Sequence, residues 1–380
     1  MNLINILKDN TVLIPAGLFV LSFVVQMLYY FVFYMRTARY RSGEKTGNKL
    51  SPVSVIICAR DEAENLQQNL PAILSQDYPD YEVIVVNDCS QDDTEEVLIR
   101  LKAKYKNLRT TIIKEDQKFR HGKKLAATIG IKAAKNEWLL FTDADCYPVS
   151  DKWIKSMAAE FTDEKSIVLG YGGYEHKKGI LNNLIRFDTF FIALQYTGFA
   201  IAGKPYMGVG RNLAYRRSLF FDNKGFARHS NLQSGDDDLF VNEVATKGNT
   251  AIVLNQESFT RSIPKTSFSA WLAQKRRHLT TGKYYRGNHK FLLGAENISR
   301  ILFYLFFILL IVDQTYLYLA LAGFVIRLAT QLSVFKITMK RLNEKDLFLS
   351  SLIYDILLPI INAFLLILNR FSRKKQHKWR

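Results

Sequence analysis

Asp143 and Asp145 stand one small residue apart, directly after the apolar run 138–141, WLLF. Two carboxylates so spaced suit a divalent cation, Mg2+ or Mn2+, that takes oxygen ligands and keeps positions open for phosphate. One Asp-x-Asp is expected about once by chance in a chain of this length, so the pair gains meaning only from its surroundings. Other carboxylates follow apolar runs in the same way: Asp61 and Glu62 after 53–58, VSVIIC, and Asp88 after 81–86, YEVIVV. Further on, Ser234-Gly235-Asp236-Asp237-Asp238 opens an apolar helical pattern with three adjacent carboxylates, more than a helix cap and first turn require. A carboxylate near a hydroxyl nucleophile can act as a general base. Gly122-Lys123-Lys124 opens another helix, where an ammonium and free backbone N–H groups can hold phosphate oxygens.

These residues need a scaffold that brings them together, and the periodicity supplies one. The β-branched runs 53–58 and 81–86, with Leu108–Ile113 and 138–141, read as strands. Between them, helical spacing is set by Leu66, Leu70, Ile73 and Leu74, by 94–104, and by 123–135. Strands alternating with helices predict a parallel sheet with right-handed crossovers. Ligands collect at the carboxyl ends of such strands. Carboxylates lining that edge are costly unless they bind a cation or a hydrogen-bonding ligand.

The strand ends SVIICARDE, VIVVNDCSQDDT and LLFTDADC, with HGKKLAATIG between the last two, resemble the nucleotide-binding half of family 2 glycosyltransferases of the GT-A fold. The resemblance spans about residues 51–287. It implies an α/β domain with a Rossmann-like mixed sheet, and a loop of Ala59, Arg60 and Glu62 that joins Asp88 in holding a nucleoside. It implies further that Asp143 and Asp145 carry Mg2+ or Mn2+ on a diphosphate, and that Lys123 lies beside it. In GKPYMGVGRNLAY, Gly208, Gly210, Arg211 and Asn212 would contact the donor or acceptor sugar; GYGGY at 170–174 is a second glycine-rich stretch. The family's base falls on Asp237, with Gly235 before it and Gly248 after it; Asp238 is the competing register, and Asp236 adjoins both. Gln274-Lys275-Arg276-Arg277-His278 partly matches the Gln-x-x-Arg-Trp motif of membrane-embedded members. Gln274 and Arg277 would stabilise the departing diphosphate. His278 stands where tryptophan is usual, which argues against stacking on an acceptor sugar and against processive growth.

Residues 11–34 run about 24 positions without a charge, long enough to cross a bilayer. No cleavage-type sequence follows them, so the expectation is a retained anchor. A second apolar region holds three stretches, 298–316, 317–335 and 347–368. Its expected form is a hairpin turning near Asp313-Gln314, with 336–345 back inside and 347–368, broken by Asp355, Pro359 and Asn362, lying in the interface or entering and returning. Residues 180–199 are aromatic and apolar, either core or a surface against lipid. The net charge of +17 gathers beside the spans, at Arg36, Arg39, Arg41, Lys45 and Lys49, and at Arg370, Arg373, Lys374, Lys375, Lys378 and Arg380. That pattern fits cytoplasmic flanks and weighs against nucleic acid as partner. Cys58, Cys89 and Cys146 have no metal-site spacing and read as buried thiols.

The expected organisation is an anchor and linker over 1–50, a cytoplasmic GT-A domain over 51–290, and a membrane region with a basic tail over 291–380. The expected activity is inverting transfer from a nucleotide sugar, uridine diphosphate being the expected carrier, to a membrane-borne lipid or lipid-linked saccharide. The alternatives are a processive polysaccharide synthase and, from another class, a non-catalytic membrane scaffold. A nucleotidyltransferase would carry a glycine-rich phosphate loop where this chain has Ala59-Arg60-Asp61-Glu62.

Overall fold

The computed structural model describes residues 3–41, 50–114, 122–232 and 234–371. The basic residues Lys45 and Lys49 of the linker, His121 of the HGKK stretch, and Arg373, Lys374, Lys375, Lys378 and Arg380 of the tail lie outside the described residues.

Ten strands form two sheets: β1 (Val53–Ala59), β2 (Tyr81–Asp88), β3 (Leu108–Ile113), β4 (Trp138–Phe141), β5 (Cys146–Pro148), β6 (Ile167–Leu169), β7 (Gly172–Tyr174), β8 (Leu213–Arg216), β9 (Thr250–Ile252) and β10 (Thr260–Ser262). The larger sheet has the order β3-β2-β1-β4-β8-β6-β9, and β5-β10-β7 make the smaller one. β3, β2, β1 and β4 are mutually parallel. β8 then runs antiparallel to both β4 and β6, so the sheet is mixed. Alternation along β1 sends Val53, Val55 and Ile57 into a core with Leu66, Leu70 and Ile73 of helix Ala63–Leu74. Ile56 points the other way, against Ala126, Ala127 and Ile131 of helix Lys123–Ala133. Gly130 brings that helix close, because a Cβ there would stand 2.7 Å from the Ile56 side chain.

The chain order β1, β2, β3 runs outward to one edge and then returns to β4 on the other side of β1. The strand order therefore reverses at β1, and in such sheets the crevice for a ligand lies at the carboxyl ends beside that switch point.

Among the described residues, four helices are long and apolar enough to cross a membrane: Leu13–Arg39, Gly287–Asp313, Leu317–Arg341 and Ser351–Phe371. The first is longer than the expected 11–34 and passes through a π-helical turn, Tyr29–Tyr34, in which Tyr29, Tyr30, Phe33 and Tyr34 are buried and Phe31 is exposed. Helix Ile180–Ile201 is core, not a lipid surface: Phe199 stacks on Phe33 at 4.2 Å, and Gly198 leaves room for the Phe33 carbonyl. Gln314 turns the hairpin in the left-handed region, φ 66°, where the sequence placed it.

The last stretch is one continuous helix through Pro359, not the interrupted segment expected. Asp355 is met by Arg300 at 3.3 Å and Arg327 at 3.0 Å, which offsets the burial of its charge. Near its start Tyr354 donates to the Ile180 carbonyl, and near its end Asn369 exchanges two hydrogen bonds with Arg276. Both ends thus rest on elements of the sheet domain. Its exposed positions from Leu352 to Leu368 are all apolar.

Candidate active site

Asp143 and Asp145 lie just past the last β4 pairing, in which Phe141 faces Ile56 on one side and Leu213 on the other. Because β8 is antiparallel, the residues that precede it, Gly210 to Asn212, arrive at the same edge as the ends of β1 and β4. This register converts residues scattered in sequence into one site.

On the β1 side, Asp61 and Cys89 both take left-handed backbone, φ 54° and 56°, immediately after β1 and β2. The two loops are zipped together. Ser90 Oγ accepts from Asp61 N at 2.9 Å, Asp61 accepts from Gln91 N at 2.7 Å, and Thr94 accepts from Glu62 N at 3.0 Å. Ala59 and Asp88 are fully buried at these strand ends, with Arg60 and Glu62 partly exposed above them. Burial pushes the Glu62 carboxyl up to about 7, and the nearby charges of Asp145 and Asp143 add to it, although a hydrogen bond from Asn65 opposes.

Lys123 Nζ sits between two carboxylates, 2.8 Å from Asp143 and 3.1 Å from Asp236. Burial works against its charge, but Asp143 and Asp236 hold its pKa well above the ordinary lysine value. Asp143 is half-buried, which opposes its charge, yet Lys123, Arg211 and Arg277 keep its carboxyl below the usual range. Asp145 moves the other way, raised by burial and by Asp143. Oxygens of Asp143 and Asp145 and the Cys146 sulfur all lie within 4.8 Å of one another. Burial holds the Cys146 thiol protonated, and it donates to Asp145 at 3.3 Å. Two carboxylates beside a neutral thiol fit Mg2+ or Mn2+ better than a thiolate-seeking metal.

The three aspartates of the acidic turn diverge in environment. Asp236 faces Lys123. Asp237 accepts from Gly210 N at 2.7 Å through one oxygen and from Asp238 N at 2.7 Å through the other. Its carboxyl is pushed up to about 7 by burial and by Asp236 and Asp238. Both line a small cavity with Ile56, Cys58, Lys123 and Asp143. Asp238 is turned away and accepts from Tyr285 OH at 2.7 Å and from the Thr281 hydroxyl, so it does not face the cavity.

Arg211 lies near Asp143 and Asp145, its guanidinium over the Tyr174 ring at 4.4 Å. Gly210 is a close approach to Asp237 and Lys123. Two expected sugar contacts are structural instead. Asn212 is fully buried; it accepts from Trp153 Nε1 at 3.0 Å and donates to the Tyr171 and Ser258 carbonyls at 2.9 and 2.7 Å. Gly208 packs against Leu213, Leu169 and Val241. The glycines of GYGGY likewise admit protein groups, not a ligand: Gly170 faces Asn212, Gly172 faces Arg211, and Gly173 faces Arg261.

Helix Phe268–Leu279 is fixed by Lys275, which donates to both oxygens of Asp188 at 2.7 Å, and by the Arg276–Asn369 pair. Gln274 reaches Tyr174 OH at 3.3 Å, and Arg277 is close enough to Asp143 to act on its charge. His278 is exposed on this helix, with the cationic Arg277 and Arg211 nearby disfavouring its protonated form. The sequence reading did not find the Lys123–Asp236 contact or the Tyr285–Asp238 bond. The latter joins residues 47 apart, and nothing local in either stretch signals it.

Residues 54–222 match the profile of glycosyl transferase family 2. Glycosyltransferase AglE of Haloferax volcanii is 41% identical over 105 residues, 27% of this chain and 33% of that protein. The poly-beta-1,6-N-acetyl-D-glucosamine synthase of Staphylococcus epidermidis is 34% identical over 93 residues, 24% of this chain and 21% of that protein. The chain thus spans a third or less of the length of these relatives. The mannosyltransferase PcManGT from Pyrobaculum calidifontis, solved with GDP-Man and Mn2+, superposes with a TM-score of 0.57 at 18% identity, over 91% of this chain and 98% of that one. This likeness is one of fold. The sheet order and the profile match agree: residues 54–222 carry the glycosyl transferase family 2 profile, and the fold is GT-A.

Proposed function

We propose that the protein transfers a sugar, with inversion, from a nucleotide sugar to a lipid or lipid-linked saccharide held in the membrane. The observation that carries this reading is the bridge of Lys123 between Asp143 and Asp236: the carboxylate suited to a cation and the turn suited to proton removal share one cavity. Of the two sequence relatives, one is a glycosyltransferase and the other a poly-beta-1,6-N-acetyl-D-glucosamine synthase, which supports this reading. Uridine diphosphate remains the proposed carrier.

In this reading Ala59, Arg60, Glu62 and Asp88 hold the nucleoside at the ends of β1 and β2. Asp143 and Asp145 would hold Mg2+ or Mn2+, which when bound neutralises charge on the diphosphate. Lys123, Gln274 and Arg277 hold the diphosphate oxygens and stabilise the charge that builds on them as the bond to the anomeric carbon breaks. An acceptor hydroxyl attacks that carbon from the opposite face, and its proton passes to a carboxylate of the turn. Sequence favours Asp237 as this base. We assign the role to Asp236, because both oxygens of Asp237 already accept main-chain N–H groups and hold the Gly210 loop. The basic residues Arg36, Arg39, Lys340 and Arg341, at the sheet-domain ends of their helices, support a cytoplasmic face for the domain.

The test is protein in nanodiscs, offered a panel of nucleotide sugars with and without Mn2+. Metal-dependent transfer that Asp143→Asn with Asp145→Asn abolishes is expected; transfer that survives both substitutions overturns the cation assignment. Asp236→Asn should remove transfer while leaving donor binding, and Asp237→Asn should cost less. The reverse order returns the base to Asp237. The synthase relative favours a second reading, processive growth, which predicts long products from the same assay.

A further inference from the structure

The short helix Asp238–Val244 follows the reacting carboxylates directly, and one face of it is bolted to the segment that leads into the membrane. At its first residue, one Asp238 oxygen accepts from Leu239 N at 2.8 Å, while the other takes the Tyr285 hydroxyl at 2.7 Å and the Thr281 hydroxyl. One turn later Asn242 accepts from Arg286 N at 2.9 Å, donates to the Tyr206 carbonyl at 2.7 Å, and meets His289 Nδ1 at 3.0 Å. Arg286 also donates to the Glu243 carbonyl. The Tyr206 ring packs near Tyr285 and His289, with centroids 6.0 and 6.1 Å apart. Helix Gly287–Asp313 begins two residues after Tyr285.

A helix start needs acceptors for its first N–H groups, and Asp237 and Asp238 supply them. The bonds from Tyr285 and Thr281 exceed that need, and they join a buried carboxylate to the juxtamembrane segment. A shift of helix Gly287–Asp313 along or about its axis therefore pulls on Asp238, and through it on Asp236 and Asp237, its chain neighbours.

We propose that Asp238, Tyr285 and Thr281 form a positioning unit through which helix Gly287–Asp313 sets the placement of the reacting carboxylates, so that turnover depends on how this helix sits in the bilayer. The inference rests on the transferase reading, since it names what orients the base. These residues touch no substrate atom; they act through the turn.

The test compares Tyr285→Phe, Thr281→Val and the double variant with wild type, in nanodiscs and in detergent micelles. In nanodiscs, kcat of the double variant should fall about 10- to 100-fold, as expected for a reacting group displaced by about 1 Å. The donor KM and the thermal stabilisation by nucleotide sugar should stay within about twofold, because the Tyr285 and Thr281 hydroxyls bond to Asp238 and the His278 carbonyl and not to the residues given to the donor. Transfer from nanodiscs to micelles should slow wild type more than the double variant. Asp238→Asn, which keeps an oxygen for Tyr285, should retain more kcat than Asp238→Ala. Wild-type turnover in the double variant, or a loss of kcat matched by a loss of donor binding and Tm, overturns the proposal. If wild type transfers no sugar, the transferase reading fails separately. Hydrogen exchange over residues 234–244 then still decides the anchor: faster exchange in the double variant supports it, and unchanged exchange overturns it.

Discussion

Lys123 holds two carboxylates with separate tasks, and removing it should separate those tasks in a kinetic experiment. Hydrogen bonds to charged groups contribute about 1.5–3 kcal/mol, so Lys123→Ala should raise the donor KM about tenfold or more. A steady-state titration of nucleotide sugar at fixed acceptor measures this. Asp237 makes a pH prediction, because its carboxyl is pushed up to about 7 by burial and by its two acidic neighbours. With Asp236 as base, Asp237→Asn should leave the pH profile of transfer in place; a limb near pH 7 that this variant removes returns the base to Asp237. Stability does respond to this group. A folded pKa above the unfolded one means the native state binds the extra proton, so this group's contribution is lost as pH rises from about 4 to about 7. Tm measured across that window, for wild type against Asp237→Asn, checks the sign.

Asn212 shows how an element-scale contact can imitate a binding residue in sequence. Its side chain ties Trp153 of the helix after β5 to two carbonyls near β7 and β10, and Asn212→Ala would orphan Trp153 Nε1 and the Ser258 carbonyl, while the Tyr171 carbonyl keeps Thr260 N. Each orphaned group costs about 1–3 kcal/mol, so this variant should lose Tm heavily before it loses donor affinity. The parallel half of the sheet was legible in advance, because β1, β2 and β4 are apolar runs that end abruptly in carboxylates. Helix Ile180–Ile201 was also legible as a helix, though its periodicity did not separate lipid from core. The antiparallel insertion of β8 beside β4 was not visible. A four-residue strand after a glycine-rich stretch carries no signal for its partner, and that pairing decides which of Gly208, Gly210, Arg211 and Asn212 reach the site. In sequence, glycine richness suggests close approach to a ligand. In the structure it is mostly room for Arg211, Asn212 and Arg261, contacts made between distant segments.

Across the whole molecule, buried charges tie the membrane helices together and to the sheets. Arg300 and Arg327 converge on Asp355, and Arg300 also pairs with Glu296. Removing one partner of a buried cluster costs about 3–5 kcal/mol, so Asp355→Ala should lower the detergent-solubilised Tm and loosen helix Ser351–Phe371, read by protease access to that helix. A second cluster joins Arg186 and Arg261 to Glu344, with Asp346 on Arg186, and fastens the end of helix Leu317–Arg341 to β10. If the last helix lies along the surface, three crossings leave the sheet domain and residue 371 on one side. A reporter fused after Arg380 should then be active only in the compartment that holds the domain.

The last helix also bears on how molecules come and go. With both ends held on the sheet domain and an apolar flank from Leu352 to Leu368, it places a greasy sill beside the helix that carries Gln274 and Arg277. Traffic of a lipid-borne acceptor would then be sideways, within a single leaflet, and its arrival rate would follow lateral diffusion. Stiffening the acyl chains at constant headgroup should slow turnover at low acceptor density and leave it unchanged at saturation.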